Sequence, residues 1–439
     1  MSATDEGRPG AGPALRRTLG RWQVSLSGVG VILGAGVYAL IAPAAREAGS
    51  ALWAAFLLAA ITAGLTAYAY GRLAAVRPKN SPEFQYASLA FGPTMGFVAG
   101  WLMVAASLLA AAAVALGFGG YLRHLAGTPA ALNAMLLLAA VAAVVYAGVG
   151  QSVRFALVLT GVEAAGLLFV ILVGIPFWTQ VNYLELPRGI GGLSSAAALM
   201  FFSYLGFEQM ANFAEEMRRP ERDLARAMFL AIAGSAVIYV LVAVSVVAAV
   251  DWRQLGASGA PLALVVGTRL GARADLVLTL IALAATGNTV LLVIVSASRS
   301  VYGMAAAGAL PGRLARVGRH GTPVFAAALV VGVTAVLVLP GDLAQIAAIT
   351  DAAMLVSFIL VNVSLPILAR RGLFGDDGRL RVADLAVPAA SLLLCAWLLL
   401  HTGWFSGVAV LGLVGVGLIV RFAVSRMIPG RAPGSKSRP

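Results

Sequence analysis

Apolar residues occur along this chain in long runs that short polar clusters interrupt. Dividing the sequence at those clusters leaves twelve apolar stretches, and a helix of about 20 apolar residues crosses a hydrocarbon core of ~30 Å. The predicted spans are 22–45, 51–75, 84–123, 131–150, 153–177, 194–216, 225–250, 274–309, 323–340, 342–370, 383–402 and 404–426. The pattern therefore predicts an all-α integral membrane protein with twelve transmembrane helices.

Two of these stretches carry glycines where a membrane-spanning helix should continue. The first is residues 28–37, GVGVILGAGV, and the second is residues 201–208, FFSYLGFE. Inside hydrocarbon, unwound backbone persists only where it is buried in protein or lines a cavity. Two interrupted helices in corresponding positions of two halves are typical of a transporter's central site.

The domain organisation follows from the same pattern. We expect a single transporter domain, 22–426, made of a first repeat (22–177), a second repeat (194–370) and two added helices (383–426). The polar ends, 1–21 and 427–439, are predicted to be tails. Each repeat then begins with one of the glycine-interrupted spans, as an inverted repeat requires.

Composition and charge place the chain in lipid and orient it. Hydrophobic residues make up 60% and charged residues 11%, against roughly 45–50% and about 25% in soluble proteins. If the N-terminus is cytoplasmic, 25 of the 31 Lys and Arg residues fall on the inner side, as the positive-inside rule expects. We therefore predict a multi-pass protein of a bacterial inner membrane with both termini in the cytoplasm.

Other classes of protein fit the sequence poorly. The net charge of +13 is scattered over inner loops, so it indicates orientation in a lipid bilayer and no nucleic-acid partner. The GxGxxA pattern at 34–39 lies within a predicted span without a preceding strand, which argues against a dinucleotide site. Cys395 is the only cysteine, so a cysteine metal cluster is excluded. We expect no enzyme activity, no cofactor and no metal site, and the sequence does not indicate the oligomeric state.

The interrupted helices offer opposite partial charges to a ligand. A break leaves N–H groups at the start of one half-helix and C=O groups at the end of the other, equivalent to about +0.5 and −0.5 of a charge. A carboxylate fits the first end and an ammonium the second, which suits an amino acid. The alternative is that these glycines only allow close packing of helices.

Several motifs resemble the amino acid–polyamine–organocation permeases. They are GxGxxxGAGVY at 28–38, FxxxGFE at 202–208, EExxxPxRD at 215–223, ATGN at 285–288 and SRxxYxMAxxGxLP at 298–311. The similarity extends from about residue 28 to 371 and is greatest to bacterial permeases related to cationic amino acid transporters. Residues 82–86, PEFQY, depart from it, because they replace a turn that contains glycine and serine.

The resemblance implies a fold and a binding site. The fold would be a five-plus-five inverted repeat with discontinuous helices 1 and 6, followed by two C-terminal helices. Substrate carboxylate would meet backbone N–H groups of the first break, its ammonium would meet carbonyls of both breaks, and two aromatic residues would shape the side-chain pocket. Gly34, Ala35 and Gly36 would bind the carboxylate. Leu33, Phe202 and Ser203 would bind the ammonium, and Tyr204 and Phe207 would shape the side-chain pocket.

Glu163 is the most informative ionisable residue inside a predicted span. Many members of the similar family have a lysine there, in place of a sodium ion, and a glutamate reverses the charge. A buried carboxyl costs several kcal/mol unless it is paired or neutralised. Glu163 is thus a candidate for carrying a coupling proton, for binding Na⁺ together with Ser296, or for hydrogen-bonding a helix end.

Four further features are candidates with open alternatives. Glu208 either closes a gate or contacts a substrate amine, or it is a solvated carboxylate in a vestibule. The charged residues between 215 and 223 either lock an inner gate through ion pairs or form a solvated loop. Asp351 either begins an unwound middle of its span or is a second titratable site. Asn288 either faces the core or contacts the pocket.

The sequence as a whole predicts a secondary active amino acid transporter. We expect proton-coupled uptake by alternating access, with H⁺ as the coupling ion and Na⁺ as the alternative. The rival hypotheses are an exchanger of amino acids or polyamines, a channel, and an amino acid sensor that does not transport.

Overall fold

The protein is helical throughout the part that the structure describes. It is a computed structural model, and it describes residues 18–76, 81–147, 153–306, 308–318, 323–372 and 381–427. In chain order the α-helices are α1 (Arg21–Ile32), α2 (Gly36–Ala48), α3 (Leu52–Val76), α4 (Pro82–Phe91), α5 (Pro93–Ala126), α6 (Ala130–Tyr146), α7 (Val153–Gly174), α8 (Gly189–Phe201), α9 (Pro220–Ala249), α10 (Trp252–Ala257), α11 (Pro261–Leu270), α12 (Ala272–Ala306), α13 (Val324–Val338), α14 (Leu343–Arg370), α15 (Ala383–His401) and α16 (Trp404–Met427). Short 3-10 helices are Gly49–Ala51, Ile175–Gln180, Phe202–Tyr204, Phe207–Glu215 and Gly312–Ala315.

Many of these helices are suited to a membrane. Within the described residues, nine helical stretches are long and apolar enough to cross one, and the shorter apolar helices α6, α11 and α13 accompany them. The predicted apolar stretches are largely helical, so the prediction of an all-α membrane protein is confirmed. The exact number of crossings stays a prediction.

The predicted span 84–123 is two helices instead of one. α4 ends at Phe91 and α5 begins at Pro93, and Gly92 between them has φ +96°. Glycine adopts positive φ readily, and proline fits the first turn of a helix but not its interior. The Gly92-Pro93 pair therefore ends one helix and starts the next.

α14 runs without interruption from Leu343 to Arg370 and contains Asp351 in its interior. Of the two alternatives for Asp351, the one in which it begins an unwound middle of its span is therefore wrong. No glycine occurs in this helix, and the Ala, Leu and Met residues around Asp351 favour a continuous helix. The segment between the predicted spans 225–250 and 274–309 contains the short helices α10 and α11.

The two interrupted segments lie among the most closely packed helices. α1 and α3 pack against α9, α2 packs against α8, and α5 packs against both α12 and α14. Burial is high in the apolar windows of α5 and of the Gly189–Ala214 stretch, 72% in each. The core of the molecule therefore surrounds both breaks.

α15 and α16 lie at the edge of this packing. Only 28% and 17% of their apolar windows are buried. α15 is fixed to α3 by Asp384, which accepts hydrogen bonds from Arg72 and from the hydroxyl of Tyr68, both at 2.8 Å. α16 is fixed to α5 by Trp101, whose indole N–H donates to the carbonyl of Leu413 at 2.9 Å. These two helices are the least buried of the candidate spans among the described residues.

Candidate functional site

The first break separates α1 from α2. Leu33, Gly34 and Ala35 lie between the helices, and Leu33 has a non-helical ψ of +58°. The N–H of Gly34 donates to the carbonyl of Ile32 at 2.6 Å. The last carbonyls of α1 and the first N–H groups of α2, which begins at Gly36, are thus left without helical partners.

The second break follows α8. A 3-10 helix, Phe202–Tyr204, is succeeded by Leu205 in an extended conformation and by Gly206 at φ +110°. A side chain at that φ is strained, so the position requires glycine. The carboxylate of Glu208 accepts a hydrogen bond from the N–H of Gly206 at 2.8 Å and stabilises the bend.

The two breaks are in direct contact. A Cβ on Gly36 would lie 2.9 Å from the Cα of Ser203, and a Cβ on Gly206 would lie 2.9 Å from a methyl carbon of Val31. Only glycine at position 36 lets the start of α2 approach the second break this closely. The structure thus brings Gly36 next to Phe202 and Ser203, and Leu33, Gly34 and Ala35 directly precede it in the first break. That these residues bind a substrate stays a prediction.

Tyr239 of α9 connects the two breaks. Its hydroxyl oxygen lies 2.7 Å from the carbonyl oxygen of Ile32 and 3.1 Å from that of Ser203. Those carbonyls belong to the C-terminal ends of the first halves of both interrupted helices. Sequence reasoning missed this residue. The signal was a tyrosine in an apolar helix, since a buried tyrosine usually finds a hydrogen-bond partner for its hydroxyl.

The contact between the breaks presents opposite polarity within a small volume. The N-terminal N–H groups of α2 carry partial positive charge, and the carbonyls of Ile32 and Ser203 carry partial negative charge. The hydroxyl of Ser203 is buried and has no hydrogen-bond partner among the described residues. An unsatisfied buried hydroxyl is costly, so a ligand that bonds to it would stabilise the site.

The two predicted pocket aromatics face other helices. The hydroxyl of Tyr204 donates to the carbonyl of Phe56 on α3 at 3.1 Å. Phe207 packs against the rings of Tyr70 and Phe358, with ring centroids 5.9 and 5.3 Å away. Both aromatics are fully buried and join the second break to α3 and α14.

Glu163 of α7 lies beside the first break. Its backbone carbonyl accepts a hydrogen bond from the hydroxyl of Tyr38 in α2 at 2.7 Å. Its carboxyl group is hydrogen-bonded to the side chain of Asn288 in α12, and Tyr239 is an electrostatic neighbour. One carboxyl oxygen, Oε1, is buried without a hydrogen-bond partner among the described residues. Asn288 thus bonds to Glu163.

Ser296 does not join Glu163. It is exposed, and it lies eight residues, or about 12 Å of helix, from Asn288. The predicted sodium site made of Glu163 and Ser296 is therefore not assembled. Thr289 of α12 is closer to the break, since its hydroxyl oxygen would lie 3.8 Å from a Cβ on Gly34. No cluster of three His, Cys, Asp or Glu residues suited to a metal occurs in the described part of the chain.

Glu208 and the charged segment after it differ from the sequence predictions. Glu208 is only 5% exposed, so the alternative of a solvated vestibule carboxylate is wrong. No ion pair with any other described residue is made by the charged residues that follow, which are Glu216, Arg218, Arg219, Arg222 and Asp223. The backbone makes the connection instead: Leu19 donates to the carbonyl of Glu216 at 3.0 Å and accepts from Arg218 at 3.1 Å.

Asp351 is buried in the membrane part of α14. Its side chain is 0% exposed, and neither carboxyl oxygen has a hydrogen-bond partner among the described residues. It shares a helix face with Phe358, seven residues away, which packs against Phe201 and Phe207. Such a carboxyl group is costly to keep ionised.

A cavity of about 570 Å³ lies along α2 beyond the first break. Its lining includes Arg46, Arg123, His124 and Asp342. The lining residue of α2 nearest to the break is Ala39, one helical turn from Gly36. The cavity therefore brings a charged space close to the site.

Comparison with known proteins gives a consistent result. A family model described as amino acid permease matches residues 19–428. The branched-chain amino acid permease BcaP of Bacillus subtilis is 25% identical over 94% of each chain. The methylthioribose transporter of the same organism is 27% identical, also over 94% of each. The vacuolar cationic amino acid transporter 2 of Arabidopsis thaliana is 27% identical over 78% of this chain and 58% of that protein.

Proposed function

Because the chain belongs to the amino acid permease family, we propose that it is a secondary active transporter whose substrate binds where the two helix breaks meet. The observation that carries this proposal is the position of Tyr239, whose hydroxyl bonds to carbonyls of both breaks. A ligand that contacts both breaks experiences any movement of one relative to the other. That is the requirement for alternating access around a fixed site.

The proposed substrate is an amino acid. Its carboxylate binds the N–H groups at the start of α2, and its ammonium binds the carbonyls of Ile32 and Ser203. Ser203 Oγ supplies a further hydrogen bond. The backbone groups recognise the part that amino acids share. The side chain of the substrate extends toward the ring of Phe202, which lies beside Gly36.

The proposed architecture has twelve spans. α1 to α7 form the first repeat and α8 to α14 the second, and each begins with an interrupted helix. α15 and α16 lie outside the repeat. The distribution of Lys and Arg supports an inner-membrane protein with both termini in the cytoplasm.

The proposed coupling ion is a proton carried by Glu163. Its carboxyl group contacts Asn288 and lies near Tyr239, and no described Lys or Arg forms an ion pair with it. Burying an unpaired carboxylate costs several kcal/mol, and binding a proton removes that cost. Because Tyr239 is an electrostatic neighbour of Glu163 and bonds to carbonyls of both breaks, the proton occupancy of Glu163 can affect the substrate site.

A screen on the purified protein tests the substrate. Thermal unfolding is followed with each of the twenty amino acids, common polyamines and methylthioribose, since a ligand that binds the folded protein raises its midpoint. We expect one or more amino acids to raise it. A shift with methylthioribose alone would contradict the proposed substrate class.

Flux measurements with the amino acid identified in that screen test the mechanism. In proteoliposomes, an inward proton gradient should drive accumulation, and a protonophore should abolish it. Flux that needs substrate on both sides indicates an exchanger, and large currents indicate a channel. Binding without flux indicates a sensor.

Glu163→Gln tests the coupling residue. Glutamine keeps the shape and the contact with Asn288 but cannot carry the proton. We expect gradient-driven accumulation to disappear while exchange persists. Glu185→Gln, a change of a half-exposed glutamate paired with Arg253, is the control and should behave as the wild type. Wild-type pH dependence in Glu163→Gln would remove the assigned role.

A further inference from the structure

Two buried carboxyl groups lie beside the second break, apart from Glu163. Glu83, near the start of α4, accepts a hydrogen bond from the hydroxyl of Tyr70 at 2.8 Å. Glu208 accepts one from the N–H of Gly206 at 2.8 Å. Each is 5% exposed, and the two carboxyl groups interact electrostatically with each other and with Tyr70. Glu83 belongs to the segment that departs from the family pattern.

No described Lys or Arg forms an ion pair with Glu83 or Glu208. Arg72, on α3 two residues beyond Tyr70, forms an ion pair with Asp384. Arg371, at the end of α14, donates to the carbonyl of Leu89. Arg21 of α1 makes no ion pair with either carboxylate. On α9, Arg222 and Arg226 are exposed.

The other neighbours of the pair are neutral. Tyr86 of α4 is an electrostatic neighbour of Glu83. Tyr70 packs edge-on against Phe207 and Phe358, with centroids 5.9 and 5.7 Å away. These rings are apolar neighbours of the pair between α3, α14 and the 3-10 helix Phe207–Glu215. Two adjacent negative charges in such surroundings repel each other strongly.

We propose that Glu83 and Glu208 form a second proton-binding site, in which the charge on one carboxyl group opposes ionisation of the other. Like charges that share a buried site cannot both ionise freely, and the pair then titrates as a unit. Its use in transport rests on the proposed function. The proton site itself does not.

Protonation of the pair holds the second break in the arrangement seen here. Glu208 fixes the bend at Gly206, and the segment that follows is tied to Leu19 at the start of α1. Loss of the proton leaves two negative charges between α4 and the 3-10 helix. Repulsion then separates them, so the pair acts as a latch on the side of the molecule where α1 begins.

The pH dependence has a defined sign. Burial raises the pKa of Glu83, whose helix lies outside the candidate spans. A carboxyl group whose pKa is higher in the folded than in the unfolded protein stabilises the fold at pH values below its pKa in the unfolded protein. This stabilisation is lost as the pH rises through its pKa in the folded protein. The wild-type protein should thus become less stable as pH rises through that range.

Infrared titration of the purified protein tests the coupling between the two carboxyl groups without any substrate. The protonated-carboxyl band is followed against pH in the wild type, Glu83→Gln, Glu208→Gln and the double variant. Removing one carboxyl removes its like charge from the other, so we expect the remaining group to titrate about one pH unit or more lower. Unshifted midpoints with additive band losses would overturn the proposal, whatever the transport activity.

Hydrogen–deuterium exchange tests the latch. Amides from Gly206 to Glu216 should exchange faster as pH rises in the wild type, after correction for intrinsic exchange, and this increase should be absent in Glu83→Gln. Tyr70→Phe keeps the ring packing but loses the hydrogen bond, so it should shift the titration without unfolding the protein. Glu185→Gln is the matched control. An equal pH response in Glu83→Gln and the control would overturn the latch.

Discussion

The two breaks contact each other but are built differently. At the first break, a Cβ on Gly34 would meet nothing closer than 3.8 Å, and the free ends of α1 and α2 remain available to a ligand. At the second, Gly206 is held at φ +110° by Glu208, and Phe207 is packed between two further aromatic rings. The first break leaves the N–H groups at the start of α2 without helical partners. At the second break Glu208 holds the bend, and the hydroxyl of Ser203 lacks a hydrogen-bond partner among the described residues.

This difference separates two roles that a broken helix can have. In the proposed site, the first break supplies most of the binding groups, namely the N–H groups of α2 and the carbonyl of Ile32. The second supplies the carbonyl and hydroxyl of Ser203 and a bend whose position is fixed from outside the site. Changes at the first break should therefore affect ligand affinity most, and changes at the second should affect stability.

Gly36→Ala should have the largest effect. Its Cβ would lie 2.9 Å from the Cα of Ser203, so the breaks must separate, and a displacement near 1 Å costs about 100-fold. We expect ligand affinity to fall by about that factor, measured by thermal shift with the amino acid found in the screen. Gly34→Ala is the matched control and should change affinity only a few-fold. A folded Gly36→Ala with wild-type affinity would reduce this glycine to a packing role.

Gly206→Ala should mainly lower stability. A residue with a side chain in such a strained conformation costs about 1–3 kcal/mol, and the new methyl group meets Val31. We expect a lower unfolding midpoint with a smaller loss of affinity than in Gly36→Ala. Gly303→Ala, in open space on α12, controls for a general effect of removing glycine. If Gly206→Ala lost affinity but not stability, the assigned roles would be reversed.

Tyr239→Phe should have the smallest effect. It removes one hydroxyl that bonds to both breaks, and a hydrogen bond contributes about 1 kcal/mol net, so we expect transport to fall about five- to tenfold. A matched variant, Tyr204→Phe, removes a hydroxyl that bonds only to Phe56. Equal losses in the two variants would show that linking the breaks has no special importance.

The backbone of the site is predictable from the sequence. Glycines at 34, 36 and 206 within otherwise apolar spans are a local signal, because unwound backbone in lipid needs a reason. The Gly92-Pro93 pair is a local signal as well, because glycine followed by proline is typical of the end of one helix and the start of the next. The continuous helix at Asp351 shows the converse, since one carboxyl group among good helix formers does not unwind a helix.

The side-chain partners were harder to predict because they depend on how helices pack. Tyr239 lies 207 residues from Ile32 in sequence, and nothing local places its hydroxyl there. Whether Asn288 or Ser296 lies beside Glu163 depends on how far α7 is shifted along the axis of α12. The pairing of Glu83 with Tyr70 depends on the helix end at Gly92, which fixes α4 as a separate helix.

A structure determined with the bound amino acid from the screen tests the central claim most directly. The account predicts that the ligand carboxylate lies within hydrogen-bond distance of the N–H groups at the start of α2, and its ammonium near the carbonyl oxygens of Ile32 and Ser203. A ligand found only in the cavity beside Arg46 and Arg123, with both breaks unoccupied, would contradict it.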